Sequence, residues 1–96
     1  MVKKEIIKII RNSKPEMESQ YGVRRIGLFG SYVRESQSKK SDIDILVGFN
    51  RDIDLFDFLD LREYLENRLH IKVDLVMESA LKPAICKRIL SEVEYV

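Results

Sequence analysis

Ser41-Asp42-Ile43-Asp44-Ile45-Leu46-Val47-Gly48-Phe49 is the stretch that decides how this chain folds. Side chains alternate across a β-strand, so Ile43, Ile45, Val47 and Phe49 share one face while Asp42 and Asp44 project from the other. Residues 42–49 therefore read as a strand with an apolar face for a core and an opposite face that begins with paired carboxylates. Ile71 to Met77 repeats the layout: Val73, Leu75 and Met77 lie on one side, and Asp74, between Lys72 and Val76, lies on the other. Three carboxylates can thus converge on adjacent strands.

The residues between these strands set their direction. Leu55, Phe58, Leu61, Leu65 and Leu69 follow the three-and-four rhythm of a helix, with Asp57, Asp60, Glu63 and Glu66 elsewhere around it. That helix is long enough for a parallel crossover. Upstream, Val23 to Phe29 is rich in β-branched and aromatic residues and stops at Gly30, which marks another strand. Gly30 lets the backbone approach a ligand closely. Ser31 stands where strand passes into a short helix, so its hydroxyl and the N–H groups of Tyr32 and Val33 can receive an anion. If this cradle and the acids form one site, the end of the first strand lies beside the start of the second, and those two run antiparallel. The expected product is an α+β fold with a small mixed sheet.

The ends complete the pattern. Ile6, Ile7, Ile9 and Ile10 cluster on a helical face away from Lys3, Lys4, Lys8 and Arg11. Ser13, Pro15 and Glu16 read as a restart, with Ser13 a cap and Glu16 at the capping-box position, so a second short helix is expected to end near Gly22. Pro83 opens a last helix through Ile85, Ile89 and Leu90, and Val93 to Val96 can add an edge strand.

Three acids held close together repel one another unless a cation neutralises them. Hard divalent cations with oxygen ligands do so, and two magnesium ions about 3.5–4 Å apart are the usual arrangement for in-line displacement at phosphorus. Without the Gly30-Ser31 context, Asp42-x-Asp44 would read as solvated turn chemistry.

Composition narrows the remaining choices. At 96 residues, 45% hydrophobic and 34% charged, the chain has an ordinary globular balance and is expected to form one domain, 1–96. A net charge of +1 argues against a chain built mainly to bind nucleic acid or a membrane surface. The halves differ: ten basic against four acidic side chains over 1–40, seven against twelve over 41–96. The lone Cys86 makes no internal disulfide, and with the lone His70 it makes no familiar zinc site. No signal-peptide pattern or membrane-length apolar run is present, so the cytoplasm is the expected compartment. His70 reads as a surface residue at a helix C-terminus, Cys86 as a core or half-buried residue, and the acids of the Leu55–Leu69 helix as water-facing, with docking of a basic partner as the alternative. The tyrosines are scattered, and only Tyr32 adjoins the anion loop.

Gly30-Ser31, a ten-residue gap, Asp42-x-Asp44 and the later strand acid Asp74 resemble the polymerase-beta-like nucleotidyltransferase superfamily. More closely, Leu28-Phe29-Gly30-Ser31-Tyr32-Val33-Arg34 and Ser41-Asp42-Ile43-Asp44-Ile45-Leu46-Val47 look like the minimal nucleotidyltransferases of bacteria and archaea. The resemblance covers nearly the whole chain. It implies the nucleotidyltransferase fold, with helices mainly on one face of the sheet. It also implies that Asp42, Asp44 and Asp74 hold magnesium, with Asp74 the candidate base, and that Gly30 and Ser31 hold the β and γ phosphates of ATP. Arg34 is either a phosphate contact or a solvent-exposed side chain. One departure stands out: the family carries Gly after the Arg, where this chain has Glu35.

Larger relatives add helical domains that bind the acceptor, and none is visible here. Minimal members are commonly the antitoxin beside a helical HEPN-class ribonuclease, and they neutralise it by adenylylating a tyrosine. The resemblance therefore implies AMP transfer from ATP to a HEPN-type toxin, with no membrane and no direct nucleic-acid partner, in a homo- or hetero-oligomer. The alternatives are a stoichiometric binding antitoxin with a vestigial site and, given a homodimer, nucleotidylation of a small molecule.

Overall fold

The computed structural model describes residues 1–96. The elements run α1 (Lys3–Tyr21), β1 (Val23–Phe29), a single 3-10 turn (Gly30–Tyr32), β2 (Ile43–Phe49), α2 (Leu55–Leu69) and β3 (Val73–Met77). A second 3-10 turn (Glu78–Ala80), α3 (Pro83–Glu92) and the two-residue β4 (Glu94–Tyr95) follow. The strands lie in the order β3-β2-β1-β4. β2 runs antiparallel to β1 and parallel to β3, and β4 adds antiparallel to the outer edge of β1. This is the mixed sheet expected from the sequence.

The expected break in the N-terminal helix does not occur. α1 continues through Pro15, whose missing N–H leaves one rung of the helix unmade. Ser13 is buried, and its hydroxyl donates to the Ile9 carbonyl at 2.9 Å instead of capping a new helix. The apolar stripe explains the continuity. Ile6, Ile10, Ser13 and Met17 are spaced four, three and four apart, and all four are buried, so ending the helix at Asn12 would withdraw Met17 from the core. Burying a side chain of that size is worth about 1.5–3 kcal/mol, comparable with the cost of an interior proline. Gly22 then ends the helix in the left-handed conformation (φ +69°).

The sheet has two unequal faces. On one, Ile26, Leu28, Ile43, Ile45, Val47, Val73 and Leu75 meet Ile6, Ile10 and Met17 of α1 and Leu61, Leu65 and Leu69 of α2 in a continuous core. On the other, α3 covers a small cluster of Phe29, Leu46 and Ile89. Two of the three helices thus share one face. The opposite face is left with a partly open end at the start of β2 and β3, where Asp44 and Asp74 stand side by side.

Candidate active site

β1 delivers its last residue, Phe29, opposite Asp44, and β2 delivers Asp44 opposite Asp74. Both registers follow from alternation: each neighbour of these residues on the core side is apolar, so a one-residue slip would bury the acids. Asp44 is half-buried, whereas Asp42, just ahead of β2, and Asp74 are exposed. Burial pushes the Asp44 carboxyl up to about 6, aided by the charge of Asp74, a hydrogen bond shared with it and the charge of Asp42, while Arg34 pulls the other way.

Gly30 meets Asp44 from the side. Its φ of +79° lies in the left-handed region, and a Cβ there would overlap the Asp44 carboxylate, so both backbone and neighbour require glycine. The carbonyl of Gly30 accepts the N–H groups of Val33 (3.1 Å) and Arg34 (3.2 Å), and the Ser31 carbonyl accepts Ser36 N–H at 2.9 Å. The loop is folded back on itself. Glu35 adopts φ +57°, a left-handed conformation that suits glycine better, so the turn carries a strained residue.

Arg34 is solvent-exposed and also borders the site. Its Nη1 contacts both carboxylate oxygens of Glu92, at 3.0 and 3.2 Å, and Glu92 also accepts the N–H of Gly30 at 3.0 Å. A cleft of about 240 Å³ opens here, lined by Gly30, Arg34, Asp44, Ile85, Arg88 and Glu92. On the opposite flank a wider hollow of about 600 Å³ joins Asp42 and Asp74 to Arg62, Glu66, His70 and Lys72 at the end of α2. A third hollow, about 880 Å³, lies around Arg24, Arg51 and Glu78 and contains none of the site residues anticipated from sequence.

The structure therefore brings Gly30, Arg34, Asp44 and Asp74 together, with Ser31 beside them and Asp42 at the rim. No three His, Cys, Asp or Glu side chains are gathered tightly enough to hold a metal ion as they stand. The donor type nevertheless suits a hard cation: carboxylate oxygens on neighbouring strands, one of them driven toward its neutral form by burial and then by the charges of the others. Tyr32 is not available for stacking on a base, since it is buried in the main core. Sequence reasoning missed Arg88 and Glu92. They reach the site from α3, 62 residues beyond Gly30 in the case of Glu92, and no local spacing signals them.

A family model described as a nucleotidyltransferase domain matches residues 10–96. The chain belongs to this family. A protein adenylyltransferase MntA of Thermococcus cleftensis is 50% identical over 92 residues, spanning 96% of this chain and 93% of that one. A solved minimal nucleotidyltransferase superposes with a TM-score of 0.79 at 31% identity, covering 94% and 92% of the two chains. A second solved structure is that of a tri-AMPylated Shewanella oneidensis HEPN toxin in complex with its MNT antitoxin. It matches with a TM-score of 0.62 at 27% identity, over 96% of this chain and 66% of the other. This nucleotidyltransferase has no helix long and apolar enough to cross a membrane.

Proposed function

We propose that residues 1–96 act as one minimal domain that transfers AMP from ATP to a tyrosine hydroxyl of a HEPN-type ribonuclease toxin, and that this transfer is its antitoxin activity. The observation that carries the reading is the register pair Asp44 and Asp74 beside Gly30, an acid pair next to a backbone that admits no side chain. The adenylyltransferase name of the Thermococcus relative and the toxin complex of the Shewanella neighbour support it.

Each residue has a role in this reading. Gly30, Ser31 and Arg34 hold the β and γ phosphates. Asp42, Asp44 and Asp74 would hold Mg2+, which when bound supplies charge neutralisation and polarises the α-phosphate. Asp74, exposed toward the wider hollow, takes the proton of the attacking hydroxyl. The oxygen bonds to the α-phosphorus and pyrophosphate leaves on the Gly30 side. The reading assumes a reducing cytoplasm, which the unpaired Cys86 suits.

The test is incubation with its cognate toxin, magnesium and α-labelled ATP. Label is expected on a toxin tyrosine, and a D42N/D44N variant is expected to lose transfer by about a thousandfold, some 4 kcal/mol of barrier. A variant that transfers nothing yet still neutralises the toxin would replace this reading with stoichiometric binding.

A further inference from the structure

The anion-binding groups of the loop already hold a carboxylate. Glu92 closes α3 and reaches back across the sheet to accept the Gly30 N–H at 3.0 Å and the Arg34 guanidinium at 3.0 and 3.2 Å. Its side chain is 21% exposed and lines the narrow cleft together with Asp44 and Arg88. A backbone N–H and a guanidinium converging on one anion form the donor set that a phosphate oxygen uses. They are also the donors assigned above to the triphosphate.

Both occupants cannot be served at once. The Gly30 N–H carries a single hydrogen. In addition, a triphosphate at this loop would lie against the Glu92 carboxylate and the half-buried Asp44, a like-charge contact in a partly desolvated cleft. The cleft contains two guanidinium groups, Arg34 and Arg88, against two carboxylates, Asp44 and Glu92. Removing the Glu92 charge shifts that balance toward a phosphate chain.

We infer that Glu92 sets nucleotide affinity: its carboxylate stands in the phosphate position, and ATP binds by displacing it from Gly30 and Arg34. This inference rests on the nucleotidyltransferase reading. Displacement also releases the end of α3. The next residue, Val93, is held to the helix by its N–H to Ile89 O at 2.9 Å. The tail beyond it is anchored: Lys3 pairs with Glu94 at 3.1 Å, Tyr95 donates its hydroxyl to Glu78 at 3.0 Å, and Val96 donates its N–H to Ile26 O at 2.9 Å while its carbonyl accepts Lys14 Nζ at 2.7 Å. Nucleotide binding is therefore felt in the last turn of α3, at the Val93 amide.

The experiment is calorimetric titration of the full chain with AMP-PNP and Mg2+, for the wild type, E92Q and E92A, with thermal melts to establish that each is folded. Both variants are expected to bind about fivefold to tenfold more tightly, the equivalent of one net hydrogen bond regained. In the wild type, which depends on no variant, AMP-PNP is expected to speed hydrogen exchange of the Val93 amide. Unchanged or weaker binding by both variants, or unaltered exchange in the nucleotide-bound wild type, overturns the inference and leaves Glu92 as a brace for the loop. A folded wild type that does not bind AMP-PNP at all overturns the nucleotidyltransferase reading itself, and this inference with it.

Discussion

The two faces of the sheet are built for different ends. Under α1 and α2, fifteen buried residues form one continuous cluster, whereas under α3 only Phe29, Leu46 and Ile89 are buried together. The polar groups follow the opposite distribution, with Asp44, Asp74, Arg34, Arg88 and Glu92 all gathered on or around the thin side. Stability is concentrated where nothing needs to move. The proposed chemistry occupies the face with the lighter cover, the kind of region that opens at low cost.

If this division is real, cavities should cost unequal amounts. Leu65→Ala, at a residue 1% exposed within the large cluster, is expected to destabilise by about 2–5 kcal/mol, whereas Ile89→Ala, 8% exposed within the small one, is expected to cost below about 2 kcal/mol. Denaturant unfolding of both variants measures this, and equal losses would erase the distinction.

A smaller effect of opposite sign sharpens it. The folded-state pKa of Asp44 is raised to about 6 from 3.8, so between those values the folded chain binds more protons than the unfolded one. Its stability contribution is then present below about pH 4 and is lost as pH rises through about 6. With chelator present, Asp44→Asn is expected to raise stability at pH 7 by about 1–2 kcal/mol after discounting for partial exposure, or about 4–8 °C in melting temperature per kcal/mol, and to flatten the pH dependence. A destabilised Asp44→Asn chain at pH 7 would contradict the picture of mutually repelling acids.

The smallest expected change lies in the loop that joins β1 to β2. Glu35→Gly relieves the positive φ but loosens the unfolded chain, leaving a net gain of about 0.5–1 kcal/mol, readable as a shift in denaturant midpoint at constant slope. A loss would mean that the Glu35 side chain contributes something that outweighs its strain.

The strands, the crossover helix and the acid pair were legible because each is a local pattern. The two-residue alternation in β2 and β3 sets which face is buried, and the Gly30-Ser31 stop sets where β1 ends. The α1 error arose from reading Ser13 and Pro15 as punctuation when the stripe from Ile6 to Met17 outweighed them. At Glu35 the backbone is left-handed although the residue type does not signal it, because strain of this size is tolerated where neighbouring hydrogen bonds close the turn. Glu92 and Arg88 were beyond reach for a different reason: their role exists only once α3 is folded across the sheet, and spacing along the chain carries no trace of it.

Gly30 has a consequence for how this protein can vary. Ordinary steric damage can be repaired by trimming the neighbour, but here the neighbour is the Asp44 carboxylate, and the backbone conformation would penalise a side chain even if that acid were removed. In genetic terms the pair has no private suppressor. A selection for regained activity starting from Gly30→Ala should return true revertants and nothing else, so that this corner of the site is inherited whole or lost.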